Sequence, residues 1–179
     1  HIADHQTAGR GRRDRAWLAA PGAALLMSVL QHSPAADANI AVAGAALGLA
    51  ACEAVRAMGF ESVGLKWPND LVVDTEAGQS KLAGVLAQST IRGSRAVVVV
   101  GIGMNVRSEG LSAMVTDRLS ISLSDLMTPP DRVVLAAAVL ERFAAISPGA
   151  QDFWDRYREV SATLGSSVRV TTDDGVISG

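Results

Sequence analysis

The sequence predicts an α+β fold, in which a mixed, mostly antiparallel sheet carries helices on one face. The first reason is the order of elements: a strand, a long helix, several hairpin-linked strands and then two helices. The second is that short polar turns separate consecutive strands, which is how antiparallel neighbours are joined. The length of 179 residues fits one domain together with the edge of a second.

The first half of the chain is predicted to contain a strand at 24–30, a helix at 39–58, and strands at 63–67 and 71–73. The helix prediction rests on an alanine-rich run that is apolar on nearly every face and ends at Gly59. Between the two later strands lies Pro68, which has no backbone N–H to donate. We therefore expect Pro68 to bend the chain and to turn Asn69 and Asp70 out of the hydrogen-bond ladder.

In the second half, a polar hairpin loop at 74–80 leads into strands at 81–90 and 96–106, which a turn at 92–94 connects. Helices follow at 131–146, behind a Pro-Pro-Asp start signal, and at 151–160. Gly165 then breaks the chain, and Val168 and Val170 alternate with polar residues as the first strand of a small β unit. We predict one domain over 1–162 and the beginning of another over 163–179.

Composition narrows the class of protein. With 49% hydrophobic and 19% charged residues the chain can bury a core, and its net charge of −2 gives no overall attraction to nucleic acid or to an anionic membrane. The longest uncharged apolar run, 40–52, is shorter than the about 20 residues that cross a bilayer. The one cysteine, Cys52, ends that run, so we expect a core residue and a reducing, cytoplasmic location.

Both ends of the sequence lead us to expect a fragment of a longer protein. The chain begins without methionine, in a pattern typical of the end of a strand, and it stops just after a hairpin-like turn. An apolar stretch after the N-terminal charges is missing, so a secretory signal is not expected.

Four segments carry residues that are costly or conformationally special in a strand-rich chain. The first, residues 6–17, alternates glycine with arginine before Trp17. Guanidinium groups bind carboxylate and phosphate bidentately and stay charged at any working pH, and a tryptophan can stack on an aromatic base. A small-anion site, an RNA-binding patch and a solvated loop all fit this pattern, although the net negative charge disfavours RNA.

The second segment is Lys66-Trp67-Pro68-Asn69-Asp70. An asparagine can pair with an adenine edge through one donor and one acceptor, and an aspartate can hold a metal, a ribose or an attacking amine. An Asn-Asp pair after proline is more often simply a turn, so this segment alone does not decide between the two.

The third and fourth segments are strands that contain glycines. Lys81 begins the apolar run with Gly84, and it is either a solvated edge charge or an inward charge for an anion. Gly101 and Gly103 fall on one strand face, which Asn105 extends, so they either clear space for a ligand or mark a tightly packed strand. A third glycine and a following helix are missing, which excludes the dinucleotide-binding fingerprint.

Four segments, together and in this order, resemble the four signatures of the biotin–protein ligase family: GRGRRDRAW, KWPNDL, KLAGVL and VVGIGMNV. The resemblance covers about 5–106 and continues more weakly through 120–123 and the helix after Asp131. The segment from Gly165 onward is similar to the first strand of the family's SH3-like domain. The resemblance therefore implies a class II synthetase-like biotin/lipoate ligase core followed by the start of that small domain.

The resemblance implies a biotin–[acetyl-CoA-carboxylase] ligase that uses biotin, ATP and Mg²⁺. In the implied reaction, biotin's carboxylate attacks the α-phosphate of ATP to give biotinyl-5′-AMP and pyrophosphate. A lysine amine of a biotin carboxyl carrier protein or domain then displaces AMP. Apart from the resemblance, an edge strand such as 96–106 could pair side by side in a homodimer, although nothing in the sequence requires one. Neither a membrane nor nucleic acid is expected as a partner.

The resemblance also implies roles for individual residues. The expected catalytic residues are Lys81, Arg10 and Asp70, with Asp70 near either the incoming lysine or Mg²⁺. The expected biotin site comprises Gln6, Gly9, Arg10, Lys81 and Gly84. The expected contacts to ATP and the adenylate come from Arg12, Arg15, Trp17, Asn69 and Asn105. Metal ligands are not assigned.

The sequence departs from the family pattern in two respects. Asp14 stands where the family usually has glycine, and we expect it to pair with a neighbouring arginine in the open loop. The family's Ser-Thr-Asn segment, upstream of that loop, and the DNA-binding domain of some members have no counterpart. Three other hypotheses stay open: a lipoate ligase, which favours an RRxxGGG-type segment, a basic-loop RNA or DNA module, and a folded but inactive scaffold.

Overall fold

The computed structural model describes residues 1–13, 15–37, 39–109, 111, 119–172 and 175–179. Its main body is a six-stranded sheet of β1 (Ile2–Ala3), β2 (Ala24–Pro34), β3 (Gly64–Lys66), β4 (Asp70–Thr75), β5 (Gly78–Arg92) and β6 (Arg95–Asn105). The order of the strands in the sheet is β1-β2-β6-β5-β4-β3. All neighbouring strands in this sheet are antiparallel, which confirms the predicted α+β class.

The α-helices whose full extent the structure describes are α1 (Ile40–Ala57), α2 (Arg132–Ala145) and α3 (Phe153–Glu159). Asn39 caps α1, because its side-chain oxygen accepts hydrogen bonds from the backbone N–H groups of Ala41 and Val42 at 3.1 Å. Asp131 caps α2 in the same way, through Val133 N at 2.7 Å. α1 packs against α2 and against β5 and β6, so both helices cover one face of the sheet, as predicted.

Strict alternation along β6 separates the two faces of the sheet. Val98, Val100, Ile102 and Met104 belong to the buried core beneath the helices. The residues between them, Val99, Gly101, Gly103 and Asn105, therefore point to the opposite face. The prediction that the two glycines and Asn105 share one face is confirmed, and that face is the one left uncovered by the helices.

The observed order and register of the strands correct three expectations, because sequence patterns specify strand pairing poorly. β6 lies between β2 and β5, so 96–106 is not an edge strand and cannot pair side by side with a second copy. The 74–80 segment is not a loop, since Asp74 pairs with Gln79 and the positive φ of Gly78, 115°, allows a tighter turn. Asp70 is the first residue of β4, opposite Lys66, so Pro68 does not turn it out of the ladder.

The C-terminal part of the described chain contributes a separate two-stranded sheet of β7 (Arg169–Thr172) and β8 (Gly175–Ser178). Before it, residues 160–163 run along the edge of β3. Leu65 N donates to Val160 O at 2.7 Å, and Ala162 N donates to Leu65 O at 2.7 Å. These bonds cover the outer edge of β3. The domain boundary at 162 and the SH3-like nature of the small sheet stay predictions.

By length and composition, α1 qualifies as a membrane-crossing helix. The expectation that no segment qualifies was wrong by this criterion, because it counted only the uncharged run, whereas the helix continues through Glu53 and Arg56. About 56% of the helix is buried, and it packs against the sheet and α2. Burial of this kind is also typical of the core helix of a globular domain.

Cys52 lies within the buried part of α1 and is 0% exposed. Its Sγ donates a long hydrogen bond of 3.5 Å to Val63 O. Burial raises the pKa of the Cys52 thiol from 9.0 to about 12, because desolvation disfavours the thiolate. The prediction that Cys52 is a core residue is confirmed.

We predict that the native protein reacts only slowly with Ellman's reagent at about pH 8, where a free thiol is partly ionised. Unfolding in guanidinium should expose Cys52 and make labelling prompt.

Because the folded pKa is raised, the buried thiol stabilises the fold below pH 9 and loses that contribution as the pH rises toward about 12. A Cys52→Ala variant should therefore lose less stability than the native protein over that pH range. In the labelling experiment, prompt reaction of the native protein would contradict the assignment of Cys52 to the core.

Candidate active site

A cavity of about 260 Å³ lies on the uncovered face of the sheet, beneath the N-terminal loop. Its walls combine residues of that loop with residues of β2, β5 and β6. Several sequence-predicted site residues line it together: Gln6, Arg10, Arg12, Trp17, Asn69, Lys81 and Gly84. Residues that are far apart in sequence thus meet in one place because the sheet register brings the glycine-containing segments of β5 and β6 side by side.

The described residues of the arginine-rich loop, 9–13 and 15–17, form a short hairpin. Trp17 N donates to Gly9 O at 2.9 Å, and Gly11 N donates to Arg15 O at 2.7 Å. Arg10 pairs with Ala16, and Arg13 adopts a positive φ of 57° near the tip. Asp14 lies outside the described residues, so its expected pairing with an arginine stays a prediction.

Within this hairpin the arginines fall into two groups. All four arginines are exposed, but Arg10 and Arg12 line the cavity, whereas Arg13 and Arg15 are absent from its described lining. Arg12 Nη1 donates to Asn69 Oδ1 at 3.2 Å, which connects the hairpin to the turn before β4. Asn69 is itself oriented by its Nδ2, which donates to Val85 O at 3.1 Å. Arg12 and Asn69 are therefore coupled across the cavity.

Lys81 reaches the cavity because of a bulge. In a regular strand Lys81 and Gly84 would point to opposite faces, since side chains alternate with a period of two. The pairing of β4 with β5 shifts register there: Leu71 faces Ala83, but Val72 faces Lys81. The extra residue, Leu82, is 0% exposed. A bulge of this kind re-aims one side chain, and here Lys81 and Gly84 line the same cavity.

Asp70 holds the amine of Lys81. Lys81 Nζ and Asp70 Oδ1 are 2.7 Å apart, and the two side chains are 25% and 14% exposed. Because the pair is partly buried, water and salt screen its attraction less than they screen that of a surface pair. The carboxylate therefore limits the directions in which the amine can point. Lys81 Nζ also lies 5.7 Å from the ring centre of Trp17. The cation is thus positioned between an anion and an aromatic face.

Three predicted residues take other positions. Gly9 is the first residue of the hairpin, and a methyl group on it would come within 2.8 Å of Gln6 Oε1. Arg15 is solvent-exposed. Asn105 is buried, its Nδ2 donates to Ile121 O at 3.1 Å, and it borders a separate cleft of about 10 Å³ with Leu18.

Several lining residues were not predicted from the sequence. They include Ala8, Met27, Ser28, Leu86, Gln88 and Val99. Ser28 lies directly opposite Gly101 in the pairing of β2 with β6. A polar residue inside the apolar strand β2 was the available signal, but its direction depends on the register between strands distant in sequence.

Comparison with known proteins gives one consistent family. The model of the biotin/lipoate A/B protein ligase family matches residues 1–105. The bifunctional ligase/repressor BirA of Escherichia coli is 30% identical over 99% of this chain and 56% of its own length. A biotin–[acetyl-CoA-carboxylase] ligase of Mycobacterium tuberculosis is 36% identical over 97% of this chain and 65% of its own.

A solved structure has the same fold. The biotin protein ligase of Aquifex aeolicus, in complex with biotin and ATP, superposes with a TM-score of 0.78 at 28% identity, over 99% of this chain and 74% of that one. The present chain spans between about half and two thirds of the length of the E. coli and M. tuberculosis relatives. The predicted resemblance and core fold are confirmed: this chain belongs to the biotin/lipoate A/B protein ligase family.

Proposed function

We propose that this chain forms the catalytic part of a biotin–protein ligase. The observation that carries the proposal is the convergence of three cations, Arg10, Arg12 and Lys81, on one cavity with a glycine floor. The Aquifex relative, whose fold matches over nearly the whole chain, is described in complex with biotin and ATP. The M. tuberculosis relative is named for biotin attachment to acetyl-CoA carboxylase. Both relatives therefore support biotin as the acid that is activated.

The proposed reaction has two steps. In the first, an oxygen of the biotin carboxylate attacks the α-phosphorus of ATP, and pyrophosphate leaves with the electron pair of the broken P–O bond. In the second, the amine of a carrier lysine attacks the acyl carbon of biotinyl-5′-AMP, and AMP leaves as the amide forms. Catalysis of this kind needs no protein nucleophile, only groups that position the reactants and stabilise charge.

The cations meet an electrostatic need of the first step. Two like charges 4 Å apart repel by about 4 kcal/mol at an effective dielectric near 20, and the carboxylate must approach closer than that to a triphosphate. Arg10 and Lys81 are proposed to bind the biotin carboxylate and the α-phosphate. Arg12 is proposed to bind phosphate oxygens from the opposite wall. Guanidinium groups suit this task because they bind oxyanions bidentately.

The neighbouring residues take supporting roles in the proposal. Asp70 orients Lys81 during the first step, and its carboxylate is the group proposed to receive a proton from the incoming lysine amine during the second. Gln6, Gly9 and Gly84 are proposed to border biotin. Adenine is assigned to Trp17, Asn69 and Asn105. Arg15 and Asn105 lie outside the large cavity, so their contacts would be with parts of ATP that extend past Trp17.

Mg²⁺ is proposed to enter as part of the ATP substrate. Among the described residues, no group of three or more His, Cys, Asp or Glu side chains could hold a metal ion. Asp70 is engaged by Lys81, which favours the lysine-orienting role over metal binding. Magnesium commonly binds through substrate phosphates with few protein carboxylates, so a preformed site is not required.

The proposed macromolecular partner is a biotin carboxyl carrier protein or domain of acetyl-CoA carboxylase or a related carboxylase. A cytoplasmic location is proposed because the free cysteine Cys52 fits a reducing compartment. A homodimer would have to form through a surface other than β6, which lies inside the sheet. Nucleic acid and membrane partners are not part of the proposal.

Replacing Lys81 tests the first step. Lys81→Gln keeps a hydrogen-bonding group at the end of a slightly shorter side chain but removes the charge, so biotin-dependent pyrophosphate release should fall by about 10²–10³-fold. Arg92→Gln, which removes an exposed charge at the end of β5 outside the described cavity lining, is the matched control and should retain the native rate. Native rates of biotinyl-AMP synthesis in Lys81→Gln would remove Lys81 from the mechanism.

The two groups of arginines predict a second contrast. Arg10→Ala removes a cation of the cavity wall, and its ATP and biotin affinities, measured by titration calorimetry, should weaken by about tenfold or more. Arg15→Ala removes a guanidinium of the same hairpin that does not line the cavity, so its effect should be clearly smaller. Equal losses in both variants would mean that the hairpin changes conformation to bring Arg15 onto the ligands.

Biotin and lipoate must also be separated, because the family includes ligases for both acids. Competition between the two acids for the full-length protein in the presence of ATP should favour biotin strongly. Preferential binding of lipoate would replace the proposed substrate while leaving the adenylation chemistry intact. Binding to RNA with a steep salt dependence, and without pyrophosphate release, would contradict the enzyme assignment altogether.

A further inference from the structure

Two glycines face each other on the floor of the cavity. Gly84 of β5 and Gly103 of β6 are direct partners in the strand register, and both point to the uncovered face of the sheet. The indole of Trp17 occupies the space above them. A methyl group on Gly103 would lie 2.6 Å from Nε1 and 2.9 Å from Cδ2 of Trp17. Real Cβ atoms do not come that close, so any other residue at 103 would displace the ring.

Shape rather than hydrogen bonding holds the ring in this position. Trp17 Nε1 is buried and has no hydrogen-bond partner among the described residues. Trp17 is joined to the sheet by contact with the glycines and by the nearby amine of Lys81, 5.7 Å from the ring centre. The main chain of Trp17 closes the base of the hairpin by donating to Gly9 O. The packing of the indole against these glycines therefore fixes the base of the hairpin that carries Arg10 and Arg12.

We propose that Gly103 is the positioning residue for Trp17: its missing side chain forms the seat that holds the 9–17 hairpin over the cavity. For substrate binding the proposal rests on the proposed function, since it would then act on ATP and biotin through Arg10, Arg12 and Trp17. For the hairpin itself it rests on geometry alone.

The other glycines of this face differ from Gly103 in what a side chain would meet. At Gly84 a methyl group would lie 3.0 Å from Lys81 Nζ, the end of a flexible side chain, and 3.4 Å from Trp17 Cζ3. At Gly101 it would lie 3.3 Å from Ser28 Oγ, and its other two nearest contacts are backbone oxygens of β2 and β5. Gly101→Ala is therefore a matched control on the same strand and face.

Trypsin measures the hairpin without any ligand, because Arg10, Arg12, Arg13 and Arg15 are its cleavage sites. Gly103→Ala should raise the initial rate of cleavage within the hairpin by about tenfold, as expected for overpacking that expels a side chain. Trp17→Ala should do the same. The double variant should be cleaved no faster than Trp17→Ala alone, since the new methyl group then meets empty space.

The control and the contradicting results are equally specific. Gly101→Ala should be cleaved at the native rate, and thermal midpoints should show that each variant is folded at the temperature of the assay. A native cleavage rate in Gly103→Ala overturns the proposal. So does an acceleration by Gly103→Ala that persists in full in the Trp17→Ala background, because the methyl group would then act through the sheet and not through the indole.

Adenylation kinetics on the full-length protein separate this inference from the proposed function. If Gly103 acts by seating the hairpin, Gly103→Ala should raise KM for ATP by about tenfold and lower kcat less. Accelerated proteolysis without biotinyl-AMP synthesis by the native protein would uphold the seat and reject the ligase assignment. Native-rate proteolysis of Gly103→Ala together with normal synthesis by the native protein would reject the seat alone.

Discussion

The bulge that opposes Val72 to Lys81 is the constraint on which the site depends. One additional residue in β5 lets Leu82 enter the core while Lys81 and Gly84 face the same cavity. The Asp70 carboxylate, 2.7 Å away, then fixes where the lysine amine points. The arginines of the hairpin approach from the other side of the cavity, so two acids held between these cations would repel each other less.

One face of the sheet packs in the hydrophobic core, and the other face carries the candidate site. Large apolar side chains of β6, such as Val100 and Met104, are buried against the helices and stabilise the fold. On the other face, Gly103 and Gly84 meet in register and leave a gap that an aromatic ring fills. Because side chains alternate along each strand, the same strands can supply a rigid core and a ligand site without compromising either.

Local patterns predicted much of this architecture. The alanine-rich helix, the glycine stop at Gly59 and the glycine face of β6 followed from periodicity and from backbone chemistry, and the four segments together indicated the family. What the sequence did not show depends on long-range pairing: the direction of Lys81, the central place of β6 and the position of Asp70 within the ladder. Arg12 and Arg15 differ for a similar reason, since which arginine of a hairpin faces the sheet depends on how the hairpin docks.

The most direct test of the clamp formed by Arg10, Arg12 and Lys81 is a crystal structure of the full-length protein with a non-hydrolysable biotinyl-AMP analogue. The charged nitrogens of these three residues should then lie within hydrogen-bond distance, about 2.7–3.2 Å, of oxygens of the analogue's acyl-phosphate linkage. An analogue bound elsewhere, or bound in this cavity with the three side chains directed into solvent, would contradict the mechanism.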